Sequence, residues 1–367
     1  MHDGHWGSMR SLRNVQVGLL LLSVASTPIG VAGEDVPAAP SREPEMPERV
    51  DNAIKKGCSW LAKTQAKDGS FPGQYPVATT SLAGLAWLAS GSTPHDGPHA
   101  ANVMRALHFI LKSQGKSGFI TENAASDGSM HGHGFATQFL AEAYGMIRDP
   151  EFGEKVRDSL TKAVHLLENT QNQFGGWNSA PNASATDDGS GAVAIMQVQA
   201  LRAAQSCGIP VKEQVITKAK KYLLEMTNND GWYAYNYNMR REGQGSASTT
   251  AAGMYMLGAL NLHENVKYSK GMLNLMHSAP YMKGGGNWGY PLYTDYYAAL
   301  AMYQRGGKEW TEWYPKMSDY LLKSQQGDGQ WQDGFGGVMT AMAILSLEIP
   351  YRYLPMFQEG GAAREGR

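Results

Sequence analysis

The most unusual chemistry-bearing stretch of the chain is Asp127-Gly128-Ser129-Met130-His131-Gly132-His133-Gly134, in which glycines flank two imidazoles. Little bulk surrounds them, so His131 and His133 can relay protons or contact a ligand; the same pair can also serve as one helix cap and one exposed side chain. A second constellation is Ala185-Thr186-Asp187-Asp188. Adjacent carboxylates at a helix start repel each other's charge, which leaves one protonated and makes Asp187 a candidate general acid with Asp188 as its neighbour. The plainer reading is that both cap the helix, where the dipole favours negative charge. Arg240 and Arg241 stand ahead of a later apolar run, and Trp232, Trp288, Tyr290, Tyr293, Asp295 and Tyr296 crowd the same third of the chain. These are the candidate ligand-binding residues. Their rings suit cation–π contact or stacking on a ligand, and equally packing between helices. No Cys/His spacing fits zinc, so neither metal nor cofactor is expected.

A repeat must position these groups. In Trp60 to Phe71 an aromatic is followed by Gln65 and then by Gly69-Ser70-Phe71. The pattern recurs with Phe109, Gln114 and Gly118-Phe119; with Leu166, Gln171 and Gly175-Gly176-Trp177; and with Tyr320, Gln325 and Gly329-Gln330-Trp331. Two copies are worn: Thr227 stands at the Gln position before Gly231-Trp232, and near Met272 and His277 only Gly286-Asn287-Trp288 survives. A period of about fifty residues fits two helices and their connections. The first helix of each pair is mixed, as at Val211–Met226 with its lysines; the second is small and apolar on nearly every side, as at Thr250–Leu257. A helix apolar all round is buried. The fold class expected is therefore all-α, an α/α toroid (six-hairpin α/α barrel) with an inner ring of second helices. Glycine ends each first helix, the Gln amide bonds to backbone groups at helix ends, and the aromatic covers the junction. Inner-helix starts should converge on the mouth of the cavity.

The Lys56-Gly57-x-x-Trp60-Leu61-x-x-x-Gln65 segment with Gly69-x-Phe71 resembles the QW-type motif of the prenyltransferase and squalene oxidase repeat family, and the recurrence spans Asn52 to Tyr353. The resemblance implies an α/α toroid with an isoprenoid or other apolar ligand. In the cyclases of that family an Asp-x-Asp-Asp motif at an inner-helix start supplies the initiating proton. Asp187 matches the donor and Asp188 its neighbour, but Ala185 replaces the leading aspartate. The family's zinc-dependent prenyltransferases need a Cys at an inner-helix start, and neither Cys58 nor Cys207 stands at one.

The wider sequence narrows the remaining classes. The 367 residues carry a formal net charge of -1 and no Lys/Arg run, which excludes a nucleic-acid partner. Arg10 and Arg13 precede an apolar stretch from Val15 to Ala25, and small residues follow at Gly30–Gly33. That layout predicts a signal segment over 1–33 and export to the periplasm or the outside, with a retained anchor as the alternative and Pro28 against it. A Pro/Ala/Glu-rich linker over 34–48, the toroid over 49–357 and a tail over 358–367 complete the expected organisation. Cys58 and Cys207 read as core thiols on separate hairpins rather than a disulfide. Three functions fit: a terpenoid-cyclase-like enzyme or binder of an isoprenoid, a non-catalytic binding or scaffold toroid, and a polysaccharide-active toroid with paired carboxylates. Membrane contact, on any of them, is expected to be peripheral.

Overall fold

The computed structural model describes residues 46–121, 129–181, 188–241, 245–278, 291–331, 336–351, 354 and 356, all within one compact unit, 43–367. The expected signal segment and tail, and most of the linker, lie outside the described residues. The described chain forms twelve α-helices. They are α1 (Glu48–Thr64), α2 (Pro76–Ala89), α3 (Ala100–Lys112), α4 (Ser129–Tyr144), α5 (Pro150–Thr170), α6 (Gly191–Ser206), α7 (Glu213–Met226), α8 (Ala247–Ala259), α9 (Val266–Ser278), α10 (Pro291–Arg305), α11 (Gly307–Ser324) and α12 (Val338–Glu348). Among the described residues β structure is limited to isolated bridges.

Odd-numbered helices are amphipathic. α7 buries Val215, Ala219, Tyr222, Leu223 and Met226 while Lys218 and Lys221 face solvent. Even-numbered helices are buried on every side, as in α8 from Thr249 to Ala259. The even helices pack in sequence, α2 on α4, α4 on α6, α6 on α8, α8 on α10, α10 on α12, and α12 back on α2. The ring closes. Each odd helix lies against the even helix that precedes it, α1 against α12, so the architecture is an inner six enclosed by an outer six.

The repeat residues explain the closure. Gln65 Nε2 donates to the carbonyls of Gly69 and Asn102, both at 3.1 Å. Gln114 does the same to Gly118 and Ser159, Gln171 to Gly175 and Val215, and Gln325 to Gly329 and Ala53. Each amide thus ties its own turn to the backbone of the next outer helix, and the last one reaches the first. The turn glycine lies just as close: a Cβ on Gly69 would sit 2.1 Å from the Arg105 carbonyl oxygen, and one on Gly329 2.5 Å from that of Lys56. Both glycines also have positive φ, which side chains other than glycine's rarely tolerate. The indoles of Trp177 and Trp331 donate at 2.8 Å to Leu167 and Leu321, sealing the junction from inside.

The fourth junction departs from the pattern. Thr227 cannot reach the next hairpin, and Lys267 on α9 reaches back instead, donating to Leu224 O at 3.0 Å and Thr227 O at 2.5 Å. Counting six residues from each Gln position gives Phe71, Ile120, Trp177, Tyr233 and Trp331, all buried. Trp232, expected to cover this junction, is one residue short of that register and only half-buried, and Tyr233 takes the place.

Cys58 and Cys207 are both free thiols; Cys58 is buried and Cys207 half-buried. No helix among the described residues is long and apolar enough to cross a membrane.

Candidate functional site

Outer-helix turns and inner-helix starts share one face of the ring, so the mouth is built from the first turns of the even helices. Each contributes a partly exposed residue at the same register, Ala78, His131, Ala192, Ser248, Tyr293 and Val338, with Pro76 and Ala247 also partly exposed at the starts of α2 and α8. Seven residues further along stand Leu85, Gln138, Gln199, Tyr255, Leu300 and Leu345, and all six are buried. Between these layers Tyr296 and Tyr297 are fully buried. The Tyr297 hydroxyl donates to Gln199 Oε1 at 3.2 Å; α8 separates α10 from α6 in the ring, so this bond runs through the interior. Tyr297 also packs on Tyr293, Tyr296 and Tyr255, with ring centroids 4.7, 4.9 and 6.0 Å away.

Beneath the mouth the described residues form a packed tyrosine floor. The other end is filled as well. Leu354 and Met356 of the C-terminal segment are buried, and Gln138 Nε2 lies 2.9 Å from Met356 Sδ. Some floor groups hold unused hydrogen-bonding capacity: the buried hydroxyl of Tyr293 and the Gln199 Nε2 meet no partner. Burial, reinforced by neighbouring phenols at Tyr293 and, at Tyr296, opposed by Gln199 and reinforced by Glu142, raises both hydroxyls above their ordinary range, so Tyr293 and Tyr296 stay protonated.

The sequence candidates divide into three sets. His131 and Tyr293 stand on the mouth ring and Tyr296 in the floor beneath them. His133 and Asp295 are each two residues past the mouth position and belong to the junction behind it. His133 Nδ1 accepts from the Ile120 amide at 3.2 Å, as Thr250 Oγ1 does from Tyr233 N and Thr340 Oγ1 from Trp331 N, both at 3.1 Å. Burial, opposed by the Ala163 backbone, pushes the His133 imidazole down to about 4, so it is neutral and serves as an acceptor rather than a proton relay. Asp295 is fully buried in the equivalent place on α10 and adds to the rise that burial causes in the outer-layer Tyr320 phenol. Neither of its oxygens has a partner, and burial pushes it up to about 8. By register and burial Asp295 belongs behind the mouth ring and not on it.

A third set lies on the rim. Asp188 accepts from the Asn238 amide at 2.9 Å through Oδ2 and from the Tyr222 hydroxyl at 3.2 Å through its carbonyl. It does not cap α6; Ser190 does, accepting from Val193 N at 3.5 Å. Asp188 instead starts the short 3₁₀ turn Asn238–Arg241 that carries Arg240 and Arg241. Arg240 donates to Tyr237 O at 2.6 Å and lies 3.5 Å over that residue's ring. Tyr237 in turn bonds to Glu225, and an open cleft of about 680 Å³ lies among Glu225, Tyr237, Arg240 and Lys267, beside the worn fourth junction. Arg240 thus lines the cleft at the fourth junction, and Trp232, half-buried, donates its amide to Asn228 of the same turn. Asp187, Trp288 and Tyr290 lie outside the described residues, as does the Arg241 side chain. Among the described residues no three His, Cys, Asp or Glu side chains converge as a metal would require.

Sequence reasoning missed Ala78, Ala192, Ser248 and Val338 on the ring and Gln138, Gln199, Tyr255 and Tyr297 below it. The available signal was the junction threonine: Thr80, Thr250 and Thr340 each lie two residues beyond a mouth position.

No protein-family model and no curated protein matches the chain by sequence. Solved structures do match it in fold. A D-mannose isomerase aligns at TM-score 0.59 and 11% identity over 83% of this chain and 97% of its own. The GH76A alpha-1,6-mannanase from Salegentibacter sp. HEL1_6 aligns at 0.58 and 10% over 82% and 98%. The type II terpene cyclase MstE from Scytonema, in a variant bound to geranylgeranyl dihydroxybenzoate, aligns at 0.54 and 14% over 83% and 98%. The protein is an α/α toroid, as the sequence repeat leads one to expect. At these identities the likeness is one of fold, shared by sugar-acting and isoprenoid-acting toroids alike.

Proposed function

We propose that the toroid takes a hydroxylated, ring-bearing ligand of the carbohydrate class at its mouth, with His131, Ser248 and Tyr293 in contact with it. One observation carries this reading: the first turn of the inner helices is accessible while every layer beneath is packed. An isoprenoid enclosed along the axis needs the room of several of those rings, and vacating even one large aromatic from a core costs about 3–5 kcal/mol. A floor with unused hydroxyl and amide groups also suits a ligand rich in hydroxyls, because apolar surface laid over unpaired polar groups is unfavourable. Asp187, just ahead of α6 in the chain, is the candidate acid for turnover of such a ligand. Export through the segment 1–33 belongs to the same proposal, since it would bring the protein to external glycans.

The terpenoid-cyclase-like reading is the second, favoured by the tyrosine floor, whose faces could stabilise a carbocation, and by the pairing of Asp187 with Asp188. Mass spectrometry of small molecules copurifying with the mature protein separates the two. A bound saccharide that an Asp187→Asn variant retains or accumulates supports the first; a copurifying isoprenoid overturns it.

A further inference from the structure

Tyr235 is 51% exposed, and the described residues expose few other large apolar side chains, Val266 and Leu273 on α9. Its place is fixed by backbone. Gly191, the first residue of α6, donates its amide to Tyr235 O at 2.7 Å, and bridges join Ser190 to Asn236 and Ala234 to Gly245. The approach is close enough that a Cβ on Gly191 would stand 2.6 Å from Ala234 O. Tyr235 is thereby held against the first turn of α6, whose mouth residue is Ala192. Its phenol also acts electrostatically on that of Tyr293 on α10.

An exposed tyrosine forgoes part of the stabilisation of burial, yet offers a large flat face with only two side-chain torsions to order on binding. Offset stacking on such a face adds to the gain from covered area when the partner is aromatic, and the apolar face of a sugar ring can use the same surface. We infer that Tyr235 is the stacking residue of the mouth and selects ring-bearing hydroxylated ligands over flexible hydrocarbon chains. This rests on the carbohydrate reading above: stacking sets one face of the ligand on Tyr235 and turns its hydroxyls toward Ser248 and His131. A hydrocarbon chain gains from the same ring only by contact area, which leucine would supply as well.

The test is calorimetric titration of the full chain with D-mannose, cellobiose, α-1,6-mannotriose and, as hydrocarbon probe, geranylgeraniol. Wild type is compared with Tyr235→Ala, Tyr235→Trp, Tyr235→Leu and His131→Ala, with thermal unfolding confirming that each variant is folded. Expected is a tenfold or greater loss of saccharide affinity in Tyr235→Ala and Tyr235→Leu, and full retention in Tyr235→Trp. Wild-type affinity in Tyr235→Ala, alongside loss in His131→Ala, overturns the role of Tyr235 and leaves the mouth site standing. A wild-type protein that binds none of the saccharides overturns both.

Discussion

His131 and His133 stand two positions apart on α4, and that step takes an imidazole from the mouth of the ring into the packed junction behind it. The same step separates Ser248 from Thr250, Tyr293 from Asp295 and Val338 from Thr340. Behind the ring one task recurs, and His133, Thr250 and Thr340 perform it by accepting a junction amide. On the ring the six side chains are of five kinds. Repetition marks what the closed ring needs for stability, and variation marks where the hairpins are at liberty to differ for a ligand.

The sharpest way to break the junction side of that comparison is Gly329→Ala. The positive φ and the Lys56 carbonyl 2.5 Å from the new Cβ together predict a loss of about 4 kcal/mol or more in urea unfolding. Gly91→Ala, equally positive in φ but facing open space, should lose only about 1–2 kcal/mol. Equal losses would mean that closure against α1 contributes nothing. Next in size is Gln325→Leu, which strands the carbonyls of Ala53 and Gly329 and should cost about 2 kcal/mol. Lys267→Met at the worn fourth junction should cost about half as much, since water from the adjoining cleft can serve Leu224 and Thr227.

The titratable junction residues should show opposite pH slopes. Burial raises Asp295 from 3.8 to about 8, so between those values the folded protein holds a proton that the unfolded chain has released, and stability falls as pH rises. Asp295→Thr, which copies Thr250, should remove that slope and raise the melting temperature by a few degrees at pH 8. His133 is lowered from 6.5 to about 4, so its contribution is present above 6.5 and lost as pH falls toward 4. His133→Thr should flatten that acid limb; slopes of the same sign for the two variants would contradict the assignment. Glu348, raised by burial to about 9 at the far end of α12, adds a background slope of the Asp295 kind that Glu348→Gln removes. The smallest stability effect belongs to the mouth. His131→Ala should change unfolding by less than about 1 kcal/mol while abolishing ligand binding in the titration.

Much of this was legible in the chain. The Gln, Gly and aromatic spacing announced the hairpins, because a helix end, a left-handed turn and a lid are local requirements met by local residues. Trp232 misled because Gly231-Trp232 copies the motif's look, whereas the register is set by distance from Thr227 and favours Tyr233. Which histidine stands at the mouth was not legible. His131 and His133 are equally flanked by glycine, and a helix apolar on all sides has no polar face to betray its orientation.

By itself, then, the sequence determined an all-helical ring of hairpins, since its punctuation acts within a few residues and its greasy second helices must be enclosed. Only the tertiary structure decided that the ring closes from Gln325 onto Ala53 and that the centre is filled by tyrosines and the C-terminal segment. It also decided which inner-helix positions reach the mouth. The physical reason is that the rotation of a fully buried helix about its axis is set by packing against its neighbours, and no pattern within the helix records it.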